Sequence, residues 1–124
     1  MPKSTNNNIR AKKGAFGEEL ATKYLVKRGY KIITRNHRCP SGEIDIIAWD
    51  GEILCFIEVR TRSENHSISP LETINYPKRR RIIYAARDYI SGLATPWPQM
   101  RFDAVGITLG ESINFELVQG AFEV

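Results

Sequence analysis

Asp45 and Glu58 are the side chains in this sequence best placed to do chemistry together. They lie in two β-rich runs, Glu43 to Trp49 and Glu52 to Arg60, separated by Asp50-Gly51, a strong hairpin signal. With a two-residue turn there, Asp45 faces Phe56 and Glu43 faces Glu58, and alternation puts Asp45, Glu58, Glu43 and Arg60 on one face. The other face, Ile44, Ile46 and Ala48 with Ile53, Cys55, Ile57 and Val59, is apolar. Asp45 and Glu58 are then diagonal neighbours with backbones roughly 7–8 Å apart. Two carboxylates so placed can both reach one divalent cation. Mg2+ takes oxygen ligands at roughly 2.0–2.1 Å, commonly one or two carboxylates completed by water and substrate phosphate. A three- or five-residue turn would send the two acids to opposite faces. The run from Glu52 to Arg60 is apolar enough for an inner strand, where like charges repel unless a cation neutralises them. Mg2+, or Mn2+, is therefore the expected cofactor. The alternative is that these acids stand at strand ends in open water or pair with Arg60 and Arg62.

A second group of residues could bind phosphate. Lys78, Arg79, Arg80 and Arg81 fall in the first turn of a helix expected to begin at Pro77. Cations there oppose the helix macrodipole by roughly 0.3–1 kcal/mol each, so local stability does not account for them. A phosphate would be drawn by the side chains and by the free helix amides. Arg38 and Arg62 extend that track, as do Lys12, Lys13 and Arg35; the alternative is a solvated charge run. Charge is segregated along the chain: residues 1–38 carry ten Lys and Arg against two acids, whereas residues 39–75 carry two against seven. Basic flanks suit a polyanion and an acidic middle suits a metal cation. No zinc finger, RNA-recognition signature or recognition helix is present, so a nucleic acid would be read through backbone and shape, with strong salt dependence.

The elements that must position these groups can be read from periodicity and punctuation. Phe16, Leu20, Ala21, Tyr24 and Leu25 stripe a helix from Gly14 to Arg28, closed by Gly29. A strand over Tyr30 to Arg38, a turn at Pro40-Ser41-Gly42 and the hairpin follow, then a polar loop from Thr61 to Ser69. Ser69-Pro70-Leu71-Glu72 matches a capping box. Ile82, Ala85, Ala86, Tyr89 and Ile90 stripe a second helix ending at Gly92, and strands follow over Met100 to Thr108 and Ser112 to Gln119. The order α-β-β-β-α-β-β describes one α/β domain, residues 14–124, behind a flexible basic arm, residues 1–13. At 124 residues the chain can bury a single core. Its two cysteines cannot complete a four-cysteine zinc site, and Cys55 reads as a small buried hydrophobe. No stretch is apolar enough to span a membrane and the N-terminus lacks a signal's apolar region, so no membrane partner and a cytoplasmic location are expected.

Gly14-x-x-Gly17-Glu18, Gly42-Glu43-Ile44-Asp45 and Glu58-Val59-Arg60 stand in a recognisable order. With Asn36-x-Arg38, Lys78-x-x-Arg81 and Arg101-Phe102-Asp103, the sequence from Gly14 to about Ile107 resembles the PD-(D/E)XK nuclease superfamily. Specifically, it resembles the YraN-type uncharacterised bacterial family, whose nearest functional analogues are archaeal Holliday-junction resolvases. The resemblance implies a three-layer restriction-endonuclease-like fold, a central mixed sheet flanked by helices. It also implies Mg2+-dependent hydrolysis of phosphodiester bonds in structured or branched DNA. Glu18 would be the helix-borne acid, Asp45 and Glu58 the strand carboxylates, and Arg60 would occupy the superfamily's lysine position. An arginine effectively cannot lose its proton, so Arg60 would orient water and stabilise transition-state charge, with Lys78 on the next helix as the alternative for the lysine's role. A branched substrate would favour a homodimer presenting two sites. The alternative is a catalytically inactive nucleic-acid-binding module of the same fold.

Overall fold

The computed structural model describes residues 2–65 and 68–124, and of residues 2–13 the backbone alone. The basic arm expected over residues 1–13 lies outside the residues whose side chains are described. Helix α1 (Pro2–Lys27) precedes strands β1 (Lys31–Cys39), β2 (Gly42–Asp50) and β3 (Ile53–Ser63). A 3-10 turn (Pro70–Thr73) leads into helix α2 (Tyr76–Ser91), and strands β4 (Met100–Leu109) and β5 (Ile113–Phe122) complete the order α-β-β-β-α-β-β. Among the described residues, no helix is long and apolar enough to cross a membrane.

The five strands form one sheet in the order β1-β2-β3-β4-β5. Every pairing is antiparallel except β3 with β4, which α2 connects as a crossover. Ala21 and Leu25 of α1 cover one face, against Ile46, Ala48, Cys55, Ile57, Val105 and Ile107. Ile82, Ile83, Ala85, Ala86 and Ile90 of α2 cover the other, against Ile47, Leu54, Phe56 and Phe102. This is a three-layer α/β/α arrangement, consistent with the restriction-endonuclease-like fold. Each such side chain contributes about 1.5–3 kcal/mol when fully buried, so β3, apolar on both faces, is anchored hardest.

Local chemistry explains the boundaries. Gly29 adopts φ 95° and ends α1, with Gly29 N–H donating to Val26 and Tyr30 N–H donating to Leu25. The capping box forms: Ser69 accepts from Leu71 N–H while Ser69 N–H donates to Glu72. Helix α2 starts at Tyr76 rather than Pro77, because the Asn75 side chain caps it by accepting from Lys78 N–H at 3.0 Å.

Three expectations are corrected. The hairpin turns at Gly51-Glu52, not Asp50-Gly51, because Asp50 pairs with Ile53 and Gly51 takes φ 60°. The paired rungs end at Ile46 and Ile57, and just beyond them Asp45 reaches β3 by accepting from Val59 N–H. The slip is two residues, so the two acids still share a face. Ile44 does not pack with Ile46 but joins the α2-side core. The break in alternation falls beside Asn36, which takes a left-handed φ of 57° between the pairs Arg35–Ile46 and His37–Ile44. The loop expected from Thr61 is strand as far as Ser63, because β4 keeps pairing with it through Leu109.

Candidate active site

Leu54 and Phe56 point from β3 into the α2-side core, and Glu58 is the next residue on that face. Its side chain is 2% exposed, and neither carboxylate oxygen has a hydrogen-bond partner among the described residues. Leaving a buried carboxylate without hydrogen bonds costs at least about 1–3 kcal/mol. Burial, and then the neighbouring Asp45 carboxylate, push the Glu58 pKa up to about 9, with Lys78 and Arg60 working the other way. Asp45 is held in place from the neighbouring strand: Val59 N–H donates to its Oδ2 at 2.8 Å.

Two cations approach this pair from different elements. Arg60 follows Glu58 on the same face of β3, and its Nη1 stops 3.8 Å from Glu58 Oε2. Its Nε donates instead to Thr73 Oγ1 at 2.8 Å, and Thr73 in turn donates to the Pro70 carbonyl. Lys78, in the first turn of α2, brings Nζ to 3.3 Å from Glu58 Oε2. The helix can lie close enough because β2 begins with Gly42, where any side chain would collide with the Arg81 carbonyl. Thr73 is a feature sequence reasoning missed, although the capping box pointed to the segment that carries it. Lys78 was expected in the phosphate track and as the alternative to Arg60, and the structure brings it to the Glu58 carboxylate.

Asp45, Val59 and Arg60 open onto a cleft of about 1070 Å³. Glu18, Arg35, Asn36, Arg38, Glu43 and Arg62 also line it, so three of the expected acids and part of the expected phosphate track meet here, while Glu58 is not among the lining residues. Glu18 arrives from the α1 layer and is 9% exposed. Its Oε1 accepts from Arg35 Nε at 2.9 Å and Asn36 Nδ2 at 2.8 Å. The left-handed turn at Asn36 thus serves to fix this acid. Among the described residues, no three His, Cys, Asp or Glu side chains converge as a metal site, so Glu18 stands apart from the Asp45–Glu58 pair.

The four basic residues of α2 do not act as one patch. Lys78 enters the carboxylate pair, while Arg79 donates to the Ile74 carbonyl and lies over the Phe122 ring. Arg80 donates to the exposed Tyr84 hydroxyl, and the Arg81 backbone packs against Gly42. Arg38 pairs with Glu43 at 3.3 Å, and Arg62 donates to the Ile68 carbonyl on the rim. Cys39 and Cys55 are both free thiols, and burial drives Cys55 up to about 12.

Residues 17–107 match the model of the family described as "Uncharacterised protein family UPF0102". A UPF0102 protein of Chlorobaculum parvum is 47% identical over 97 residues, covering 78% of this chain and 75% of its own. One from Solibacter usitatus is 40% identical over 111 residues, covering 88% and 84%. One from Moorella thermoacetica is 40% identical over 116 residues, covering 91% and 97%.

Proposed function

The chain belongs to the UPF0102 family, and from the geometry of its carboxylate cleft we propose that it is a divalent-metal-dependent endonuclease of the PD-(D/E)XK superfamily. Its substrate is structured or branched DNA. The observation that carries this reading is Glu58: a carboxylate 2% exposed, beside Asp45, with neither oxygen hydrogen-bonded. The Lys78 ammonium at 3.3 Å and the Arg60 guanidinium at 3.8 Å offset part of its charge, and both oxygens are left able to accept further ligands.

The residues present fit a hard divalent cation. Asp45 and Glu58 are the two side chains that would hold it, with water and a substrate phosphate completing the oxygen shell, as Mg2+ commonly requires. When bound, the ion supplies Lewis acidity toward a phosphoryl oxygen and acidifies water. The rest of the work falls to the chain. Arg60 meets the scissile phosphate on the cleft wall and stabilises charge on its non-bridging oxygens. Arg35 and Arg62, with Arg38 on the rim, neutralise flanking phosphates, and Glu18 acts at one remove by fixing Arg35 and Asn36. In the hydrolysis, water oxygen bonds to phosphorus as the bond to one sugar oxygen breaks. The departing oxygen takes up a proton, giving a phosphomonoester and a hydroxyl end.

The test is strand cleavage of branched DNA with Mg2+ or Mn2+. Asp45→Asn and Glu58→Gln should each lower cleavage on the order of 100-fold or more, while leaving DNA binding within a few-fold at low salt. One observation favours a second reading. Arg60 stands where the superfamily carries a lysine, which suits a module that grips nucleic acid without cutting it. Salt-sensitive binding of branched DNA with no nicking under either metal would select that module over the enzyme.

A further inference from the structure

Resting on the nuclease reading above, we propose that Thr73 is the positioning residue for Arg60, its hydroxyl fixing the guanidinium so that the Nη groups meet the scissile phosphate. Both residues line the cleft, together with Pro70. Arg60 Nε donates to Thr73 Oγ1 at 2.8 Å, and Thr73 donates in turn to the Pro70 carbonyl at 2.6 Å. A threonine hydroxyl carries one hydrogen, and Pro70 takes it, so toward Arg60 the oxygen serves only as an acceptor. A guanidinium holds its five N–H donors in one rigid plane. Anchoring Nε–H therefore fixes the direction of the Nη donors, on a side chain 34% exposed, and their fork matches two oxygens of a phosphate.

The turn that carries Thr73 is itself laid along the rung that carries Arg60. Arg60 pairs with Gly106 on β4, and Gly106 pairs with Glu116 on β5. The 3-10 turn crosses that rung: Thr73 meets Arg60, Pro70 and Leu71 seat over Gly106, and Ser69 Oγ donates to Glu116 Oε1 at 2.8 Å. A side chain at position 106 would press on Leu71 and Pro70 at 3.2–3.4 Å, so the glycine sets how closely the turn lies. The capping box and the Ser69–Glu116 bond already hold the turn, so its stability does not call for a bond to Arg60. A lysine carries all its donors on the terminal ammonium and has no Nε–H to anchor, so the threonine is matched to an arginine at position 60.

Thr73→Val removes the hydroxyl at nearly constant volume and should lower kcat for branched-DNA cleavage on the order of 10-fold, with KM for DNA nearly unchanged. Thr73→Ser keeps the acceptor and should recover most of that loss. The loss should vanish in an Arg60→Met background, where there is no guanidinium to orient, a coupling that a merely structural threonine would not show. Without DNA, NMR of the arginine side chains should find the Arg60 Nε–H exchanging slowly with water in wild type and Thr73→Ser, and fast in Thr73→Val. Thr73→Ala, which also lacks the hydroxyl, should repeat both results and guards against a valine that disturbs the turn. The proposal is overturned if the Val and Ala variants cleave at the wild-type rate, if KM alone rises, or if the loss is undiminished beside Arg60→Met. It is also overturned if Nε–H exchange is the same in all variants. If wild type cleaves no DNA at all, the nuclease reading fails instead, and the exchange rates still show whether Thr73 holds the guanidinium.

Discussion

Asp103 and Glu58 stand on neighbouring rungs of the parallel β3–β4 ladder, where Ile57 pairs with Asp103 and Glu58 with Ala104, and they differ in what answers their charge. Asp103 is fully buried on the α1 side. Its Oδ1 accepts from Arg101 Nε at 2.7 Å and Gly120 N–H at 3.0 Å. Its Oδ2 accepts from the Tyr30 hydroxyl at 2.8 Å and Arg101 Nη2 at 2.9 Å. Arg101 and Gln119 carry the network on to Asp50. Burial acts to raise the Asp103 pKa, but the bonds from Arg101, Gly120 and Tyr30 outweigh it and hold the carboxyl below its ordinary range. Glu58 is buried almost as deeply, receives no hydrogen bond, and is driven up to about 9. One sheet therefore holds a completed carboxylate and an uncompleted one on adjacent rungs and opposite faces. The completed site ties β4 to Tyr30 and to β5, and the uncompleted one lies behind Asp45, Val59 and Arg60, which line the cleft. Burial alone does not distinguish the two acids; completion by hydrogen bonds does.

The contrast breaks most sharply under mutation. Asp103→Ala strands the Arg101 guanidinium in a half-buried network and should cost about 3–5 kcal/mol of stability. Glu58→Gln removes an acid that burial and Asp45 force toward its protonated form, and should leave stability unchanged or higher, by urea unfolding at pH 8. A loss for Glu58→Gln as large as that for Asp103→Ala would make Glu58 a structural acid and erase the distinction.

A finer test uses pH. The folded-state pKa of Glu58 lies above its ordinary 4.5, so the folded state holds the extra proton and stability falls as pH rises from 4.5 to about 9. The Asp103 pKa lies below its ordinary 3.8, so its contribution is complete above that value and is lost as pH falls below it. The stability advantage of Glu58→Gln over wild type should therefore widen between pH 5 and pH 9. An advantage that stays flat across this window would mean that Glu58 titrates normally.

Much of this was legible in the sequence, for identifiable reasons. The element order follows from Gly29, the capping box at Ser69 and the helical stripe around Ala85, all local signals. The shared face of Asp45 and Glu58 survived a misplaced turn because a slip of two residues preserves side-chain parity. The reversal at Ile44 was hidden, since an asparagine at positive φ leaves no mark in an apolar pattern. The Lys78–Glu58 approach was hidden too. It depends on where a crossover helix lands across the sheet, and on Gly42 letting its backbone descend onto β2. Arg101 and Asp103 stood out as a short motif, but their partner Tyr30 lies far away along the chain. Hydrogen-bond completion is a property of the assembled fold, so the sequence could name both buried acids without telling which one was finished.

Mn2+ titration followed by loss of the free-ion paramagnetic signal tests the central claim most directly, without any nucleic acid. Wild type should take up Mn2+ at a site that disappears in both Asp45→Asn and Glu58→Gln and persists in Glu43→Gln, a neighbouring acid outside the pair. Identical titration curves for wild type and Glu58→Gln would show that no cation is held there, and would contradict the account at its root.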